Sequence, residues 1–161
     1  MMRTRNNNVA IEGKDIRAIL FRNFTGAPDT YNPKGCIGNF TVVLEDEKAK
    51  ELEQIGLNVK RKPNRDGDEE ARLKVFVRFD HVPPKVYRVN SRTTVELDED
   101  TIGLLDNDDI VDADLIINPY AFEINGLSGK KAYLSKGYFT VAEDQFADKY
   151  LGREKDEVPF D

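Results

Sequence analysis

The chain has 161 residues, with 30 acidic and 24 basic side chains and a formal net charge of −6. That length suits one domain, which can bury about 70% of its unfolded surface in a single core. One cysteine, Cys36, excludes an intramolecular disulfide, and one histidine, His81, excludes sites that need two histidines. No apolar run approaches the roughly 18 residues of a membrane span, and the polar N-terminus is unlike a signal peptide. We therefore expect a soluble cytoplasmic domain that does not contact membranes.

Hydrophobic spacing predicts short strands joined by turns, with one helix inserted after the second strand. The predicted strands cover residues 16–24, 37–44, 71–79, 86–95, 110–124 and 130–141. The helix is expected over residues 46–55, with Ala49, Leu52 and Ile55 on one stripe and Gly56 beyond its end. This order predicts a mainly β fold, a closed or nearly closed barrel of five or six strands.

The connections between these elements carry further expectations. Residues 86–95 are expected to form the hairpin partner of residues 71–79, and residues 125–129 to form the turn before the last strand. Pro119 predicts an edge or a bulge, because proline has no N–H to donate to a neighbouring strand. Residues 98–106 are expected to form a helical turn and residues 143–150 a short helix. One domain, residues 1–152, is then followed by an acidic tail, residues 153–161, which we expect to be disordered.

Charge is unevenly distributed along the chain. Residues 58–92 contain ten basic and five acidic side chains, whereas residues 93–114 contain nine acidic and none that is basic. An overall acidic protein can therefore present a positive face. Such blocks are also typical of an ordinary solvated surface, so they do not predict a function by themselves.

The strand predicted over residues 71–79 has an unusual second face. Leu73, Val75, Val77 and Phe79 alternate with Arg72, Lys74, Phe76 and Arg78, which places three cations and a ring on the side opposite the core. Single-stranded nucleic acid needs this combination, because cations bind its phosphates and flat rings stack on its bases. Alternatively, Phe76 covers a helix or a second sheet while its basic neighbours extend to solvent. Further residues predicted to extend the nucleic-acid surface are Lys60, Arg61, Lys62, Arg88, Arg92, Tyr31 and Tyr87.

Features that would indicate an enzyme are weak. Cys36 has no nearby histidine and is expected to be a small buried side chain. Neither glycine-rich loop matches the phosphate-binding pattern, and residues 106–114 lack the Gly and Glu of a calcium-binding EF-hand loop in either register. We therefore expect no catalysis, no cofactor and no metal site. An unrecognised carboxylate site within residues 98–114 remains an alternative, which would require a metal.

The C-terminal segment combines several acids with one aromatic residue. An exposed Phe160 can fill an apolar pocket of a partner while neighbouring carboxylates contact basic residues at its rim. The same acids can also occupy the protein's own basic groove and compete with phosphate. The residues predicted to bind a partner are Asp156, Glu157, Pro159 and Phe160.

Two segments resemble the single-stranded DNA-binding proteins of bacteria and phages. The acidic tail with Val158-Pro159-Phe160 is similar to their C-terminal tip. Residues 108–141 resemble the closing strands of the phage members, with Gly126-Leu127-Ser128-Gly129 as the turn. The resemblance implies an OB-like barrel. It also places Tyr120, Phe122, Lys130, Lys131 and Tyr133 on or near the strand surface that faces either DNA or the core.

The resemblance further implies a function and partners. The expected protein binds single-stranded DNA without sequence preference in phage replication and recombination, in the host cytoplasm. It would contact replication or recombination proteins through its tail, and a homodimer is a further expectation from the resemblance. The alternative is a non-enzymatic phage structural or assembly protein built on a β-barrel scaffold.

Overall fold

The computed structural model describes residues 8–28, 30, 33–80 and 82–142. Nine strands and two short α-helices are present in this part of the chain, together with a 3-10 turn at Gly13–Asp15. The strands are β1 (Val9–Ile11), β2 (Ile16–Asn23), β3 (Gly38–Leu44), β4 (Val59–Pro63), β5 (Glu69–Val77), β6 (Lys85–Val89), β7 (Thr94–Leu97), β8 (Ile110–Ile124) and β9 (Leu127–Val141). The helices are α1 (Asp46–Gln54) and α2 (Leu104–Asn107).

All nine strands belong to one mixed sheet. Its main order is β1-β8-β9-β5-β3-β2, with β4 added beside β5 and the β6–β7 hairpin added beside β9. β1 and β2 lie at the two ends of this order, although only residues 12–15 separate them in the chain. The sheet must therefore curve back on itself, as a nearly closed barrel does.

The concave side of the sheet holds the core. Phe24, Phe40 and Phe139 are buried there, with ring centroids 4.8, 5.4 and 5.6 Å apart in the three pairs. Burying each such ring stabilises the fold by about 1.5–3 kcal/mol relative to leaving it exposed. Ala49 and Leu52 of α1 join the same core, so the inserted helix covers part of this side.

α1 ends where the sequence predicts a helix end. Gly56 has a φ of 98° and donates its N–H to the carbonyl of Glu53, and the N–H of Leu57 reaches the carbonyl of Leu52. This pair of hydrogen bonds is the Schellman arrangement, which favours glycine at that position. The helix prediction is therefore confirmed to within one residue.

The turn of the long β8–β9 hairpin is also explained by the local sequence. Asn125 and Gly126 have φ values of 52° and 82°, which fit a two-residue turn between the strands. The predicted turn over residues 125–129 is therefore too long, since β9 already begins at residue 127. Pro119 lies beyond the Leu115–Ile117 stretch that pairs with β1, and a register shift falls between Ile116 and Ile117.

The predicted mainly β fold with an inserted helix is confirmed, but three details are wrong. The sheet has nine strands rather than five or six, because β1, β4 and β7 are too short or too charged to give a clear period-2 signal. The 86–95 segment does not pair with β5; it forms β6 and β7, which pair with each other, and β6 also pairs with β9. Cys36 is exposed in a loop rather than buried. The predicted helix at 143–150 and the tail lie outside the described residues.

Candidate nucleic-acid interface

The outer face of the sheet contains a basic groove of about 340 Å³. The floor of the groove consists of side chains that lie opposite each other on neighbouring strands. Lys60 of β4 lies opposite Arg72 of β5. Thr41 of β3 lies opposite Lys74 of β5. These side chains alternate with core residues such as Leu73 and therefore point away from the core. The described residues that line the groove are Phe21, Thr41, Asn58, Lys60, Lys62, Arg72, Leu73, Lys74, Phe76, Phe122, Lys130, Lys131 and Ala132, six of them Lys or Arg and none acidic.

Cations and rings interleave within this groove. The ammonium of Lys74 lies 5.3 Å from the centroid of the Phe76 ring. The ammonium of Lys131 lies 5.6 Å from the Phe76 centroid and also 5.6 Å from that of Phe122. All three distances are within the range of cation–π attraction, so the rings hold the lysine side chains in place along the groove. Phe76 is partly exposed on this face.

The face continues from the groove to a neighbouring cavity of about 500 Å³, lined by Arg78, Val82, Asn118, Tyr120, Tyr133 and Leu134. Tyr133 lies opposite Phe76 across the β5–β9 pairing, and the two ring centroids are 5.6 Å apart. Tyr120 meets the Tyr133 ring edge-on, also at 5.6 Å. Tyr133 therefore connects the groove to the cavity, and the three rings form one continuous aromatic surface.

Arg78 borders this cavity and is hydrogen-bonded to the carboxylate of Asp80. Its Nε donates to Asp80 Oδ1 at 2.9 Å. The hydrogen bond to Asp80, followed by one with Tyr133, raises the pKa of Arg78 above its usual value. Arg78 therefore keeps its charge at the cavity, in a position fixed by both partners.

A second ring pair lies farther along the outer face. Tyr87 of β6 is opposite Tyr138 of β9, and the rings stack with centroids 4.7 Å apart and planes 16° apart. The ammonium of Lys136 lies 6.0 Å from the Tyr87 centroid and 5.4 Å from that of Tyr138. At about 3.3 Å per residue, this pair is roughly 16 Å from Tyr133 along β9.

Two of the predicted arginines, Arg61 and Arg88, are paired with carboxylates on surfaces away from the groove. Arg61 is opposite buried Ala71, and its guanidinium contacts Asp46 at 2.9 Å and Glu53 at 3.0 Å, on the side of α1. Hydrogen bonds from Arg61 lower the pKa of both carboxyls. Arg88 donates to Asp108 at 2.7 Å, and this hydrogen bond raises the pKa of Arg88.

Arg92 lies in the turn between β6 and β7. Its backbone N–H donates to Asn90 Oδ1 at 2.8 Å, and it does not line the groove. Tyr31 and the predicted partner-binding residues Asp156, Glu157, Pro159 and Phe160 lie outside the described residues. Eight predicted residues are brought together in the groove: Lys60, Lys62, Arg72, Lys74, Phe76, Phe122, Lys130 and Lys131.

Sequence reasoning missed three aromatic or basic side chains of this face. Phe21 lines the groove from β2, and Tyr138 and Lys136 form the second ring cluster with Tyr87. A signal for Tyr138 was available, since it follows Lys136 at the period-2 spacing of an outward-facing pair. For Phe21 the only sign was the apolar run Ala18-Ile19-Leu20-Phe21, which breaks the alternation of that strand.

Among the described residues, no three His, Cys, Asp or Glu side chains group in a way that could hold a metal ion. The described helices are also too short and too polar for any of them to cross a membrane.

A basic, ring-bearing groove on the outer face of a nearly closed β sheet is the kind of surface that binds single-stranded nucleic acid. Comparison with known families agrees with this class. Residues 1–158 match the family described as "Putative phage ssDNA-binding domain". The chain belongs to this family of phage single-stranded DNA-binding proteins.

A solved structure of a phage protein shows the same fold, and further structures are similar to this chain. A C-terminally truncated single-stranded DNA-binding protein from bacteriophage Enc34 is 10% identical, with a TM-score of 0.51 over 85% of this chain and 87% of that chain. The Enc34 protein in complex with ssDNA is 11% identical, with a TM-score of 0.48 over 86% and 89%. The single-stranded DNA-binding protein gp2.5 of bacteriophage T7 is 12% identical, with a TM-score of 0.44 over 89% and 97%. A comparison with curated proteins gave no match.

Proposed function

We propose that the chain binds single-stranded DNA without sequence preference, with the strand lying along the outer-face groove. The observation that carries this proposal is the position of Lys131, whose ammonium is 5.6 Å from the centroids of both Phe76 and Phe122. A cation between two rings can bind a phosphate while the bases on either side stack on the rings. Alternating cations and rings match the alternation of phosphates and bases along an unpaired strand.

The division of roles within the groove follows from side-chain chemistry. The lysines Lys60, Lys62, Lys74 and Lys130 contact phosphates, which carry no sequence information. Phe76 and Tyr133 stack on bases at roughly 1–3 kcal/mol per base, and stacking tolerates every base. In a duplex the base faces are already stacked on each other, so the rings favour unpaired DNA.

The second ring cluster extends the proposed path. Tyr87, Tyr138 and Lys136 repeat the combination of stacked rings and a cation farther along β9. A strand that contacts both clusters would extend roughly 16 Å between them.

The proposed role is coating rather than catalysis. A groove of lysines and rings needs no cofactor or metal to bind a strand. The family supports a place in phage DNA replication and recombination, and hence in the host cytoplasm. A homodimer and contacts with replication or recombination proteins are further parts of this proposal.

Fluorescence anisotropy tests the proposed binding mode, with labelled oligo-dT, a matched duplex and an RNA of the same length at two salt concentrations. We expect oligo-dT to bind far more tightly than the duplex, with an affinity that falls steeply as salt rises. Equal affinity for the duplex, or no effect of salt, would contradict the groove mechanism. Self-assembly without any DNA binding would favour the structural or assembly alternative.

We also propose that the tail, residues 153–161, competes with DNA for the groove and recruits protein partners. Its four acids and two bases give it the charge of a phosphate competitor, and Phe160 supplies an apolar anchor. Deleting residues 153–161 should tighten DNA binding, most clearly at low salt, where charge attraction is least screened. Replacing its four carboxylates by amides is the matched control for charge, and unchanged affinity in both variants would contradict the competition.

A further inference from the structure

Phe21 has an unusual backbone and an unusual environment. Its φ is 53°, and its side chain is 67% exposed on the edge strand β2. The register of β2 against β3 shifts between Leu20 and Asn23, so Phe21 lies in a β-bulge. A bulky residue in the left-handed region is rare, because its Cβ crowds the following carbonyl.

The bulge itself has a structural explanation, but the choice of phenylalanine does not. The extra residue aims Arg22 at α2, where its guanidinium donates to the carbonyls of Leu105, at 2.8 Å, and Asp108. Glycine would allow the same bulge without strain, and it is the usual residue at the left-handed position of such bulges. A role for the Phe21 ring must therefore come from what the ring itself contacts.

Contacts with the other described residues do not account for the ring. The Arg72 guanidinium lies 5.8 Å from the ring centroid, but Arg72 is also hydrogen-bonded to Glu70 at 3.0 Å. An exposed cation–π contact with an already paired guanidinium stabilises less than the left-handed backbone destabilises. The Phe21 ring is also not part of the buried core.

The Phe21 ring instead lines one rim of the groove. The sheet order places β2 at one rim, β3 and β5 in the floor, and the β8–β9 hairpin at the other rim. Phe122 and Lys131 stand on the hairpin side, and Phe21 stands opposite them in the same groove. Both rims of the groove therefore present an aromatic ring.

We propose that Phe21 is a base-stacking residue of the β2 rim, held outward by its left-handed backbone. This inference rests on the proposed function and deepens it, since it adds a DNA-binding residue on the rim opposite the predicted ones. The ligand is a base of single-stranded DNA, and the ring binds it without sequence preference.

The test separates strain from binding, because the two effects of a glycine substitution have opposite signs. Phe21→Gly removes the ring and should weaken oligo-dT binding about 5- to 100-fold in anisotropy titrations. Its melting temperature should not fall, since relief of the strained backbone offsets the greater freedom of glycine in the unfolded chain. Phe21→Tyr keeps a ring at the same position and should bind within twofold of wild type.

Phe76→Ala in the same assay distinguishes failure of this inference from failure of the proposed function. Wild-type affinity in Phe21→Gly, together with weakened binding in Phe76→Ala, would overturn the role of Phe21 and leave the groove in place. Wild-type affinity in both variants would overturn the groove itself. A large fall in the melting temperature of Phe21→Gly would also overturn the inference, because the ring would then be structural.

Discussion

Basic side chains have two different environments in this protein. On the outer face, Lys60, Lys62 and Lys74 have no carboxylate within 4.0 Å among the described residues, although they line a common groove. On other surfaces, Arg61 and Arg88 each donate hydrogen bonds to carboxylates at 2.7–3.2 Å. The arginines hold elements of the fold together, whereas the lysines leave a positive potential for a ligand.

The chemistry of the two side chains accounts for this division. A guanidinium is a planar fork that matches carboxylates at fixed angles, so it can tie α1 or α2 to the sheet. An ammonium on a flexible stem is a point charge, which suits phosphates whose positions vary along a mobile strand. Net charge over a stretch of sequence therefore does not predict a binding surface unless the partners of each cation are known.

Removing the central ring of the groove should have the largest effect. Phe76→Ala should weaken single-stranded DNA binding by about 1–3 kcal/mol, because one base loses its stacking partner. The slope of affinity against salt should change little, since no charge is removed. Anisotropy titrations with oligo-dT at several salt concentrations measure both quantities.

The Phe76–Tyr133 contact requires a second variant, because loss of the ring could also disturb Tyr133. Phe76→Leu keeps an apolar side chain in contact with Tyr133 but has no flat ring. Affinity should fall in both variants while their melting temperatures stay close to that of wild type. Wild-type affinity in Phe76→Leu would mean that packing, and not stacking, explains the loss in Phe76→Ala.

Replacing one of the paired arginines should lower the stability of the fold and leave DNA affinity unchanged, which is the opposite of the effect expected for Phe76→Ala. Arg88→Ala leaves the partly buried carboxylate of Asp108 without its bidentate partner, which should destabilise the fold by roughly 1–2 kcal/mol. For a domain of this size that corresponds to a fall of roughly 2–8 °C in melting temperature. DNA affinity of the folded protein should be unchanged. Weakened binding without loss of stability would place Arg88 at the DNA instead.

Local patterns predicted the parts of the fold that depend on neighbours in sequence. Alternation along β5 separates core from outer face whatever strand pairs with it, so Phe76 and Lys74 were placed correctly opposite the core. Helix α1 has its own apolar stripe and its own glycine end. Strand pairing is non-local, and proximity in sequence wrongly made residues 86–95 the partner of β5.

The candidate site could also be predicted only in part, because it too depends on non-local strand pairing. Lys60-Arg61-Lys62 reads as one basic run, but the strand that contains it sends Arg61 to the side of α1 and the two lysines to the groove. Four further site residues were predicted only from the resemblance to phage proteins, and they lie beside Phe76 because β9 pairs with β5: Tyr120, Lys130, Lys131 and Tyr133. The position of Phe21 depends on a bulge, which no propensity in the sequence revealed.

The smallest expected effect is also the most direct test of the comparison between lysines and arginines. Lys74→Ala removes one phosphate contact and should reduce the slope of log affinity against log salt by about 0.7 for a single strand. Arg61→Ala removes the same formal charge from a site that faces Asp46 and Glu53, and it should leave the slope unchanged. Equal slope changes in the two variants would mean that DNA responds only to net charge. A change confined to Lys74 would instead assign phosphate binding to the outer-face groove, because the two variants remove the same formal charge from different surfaces.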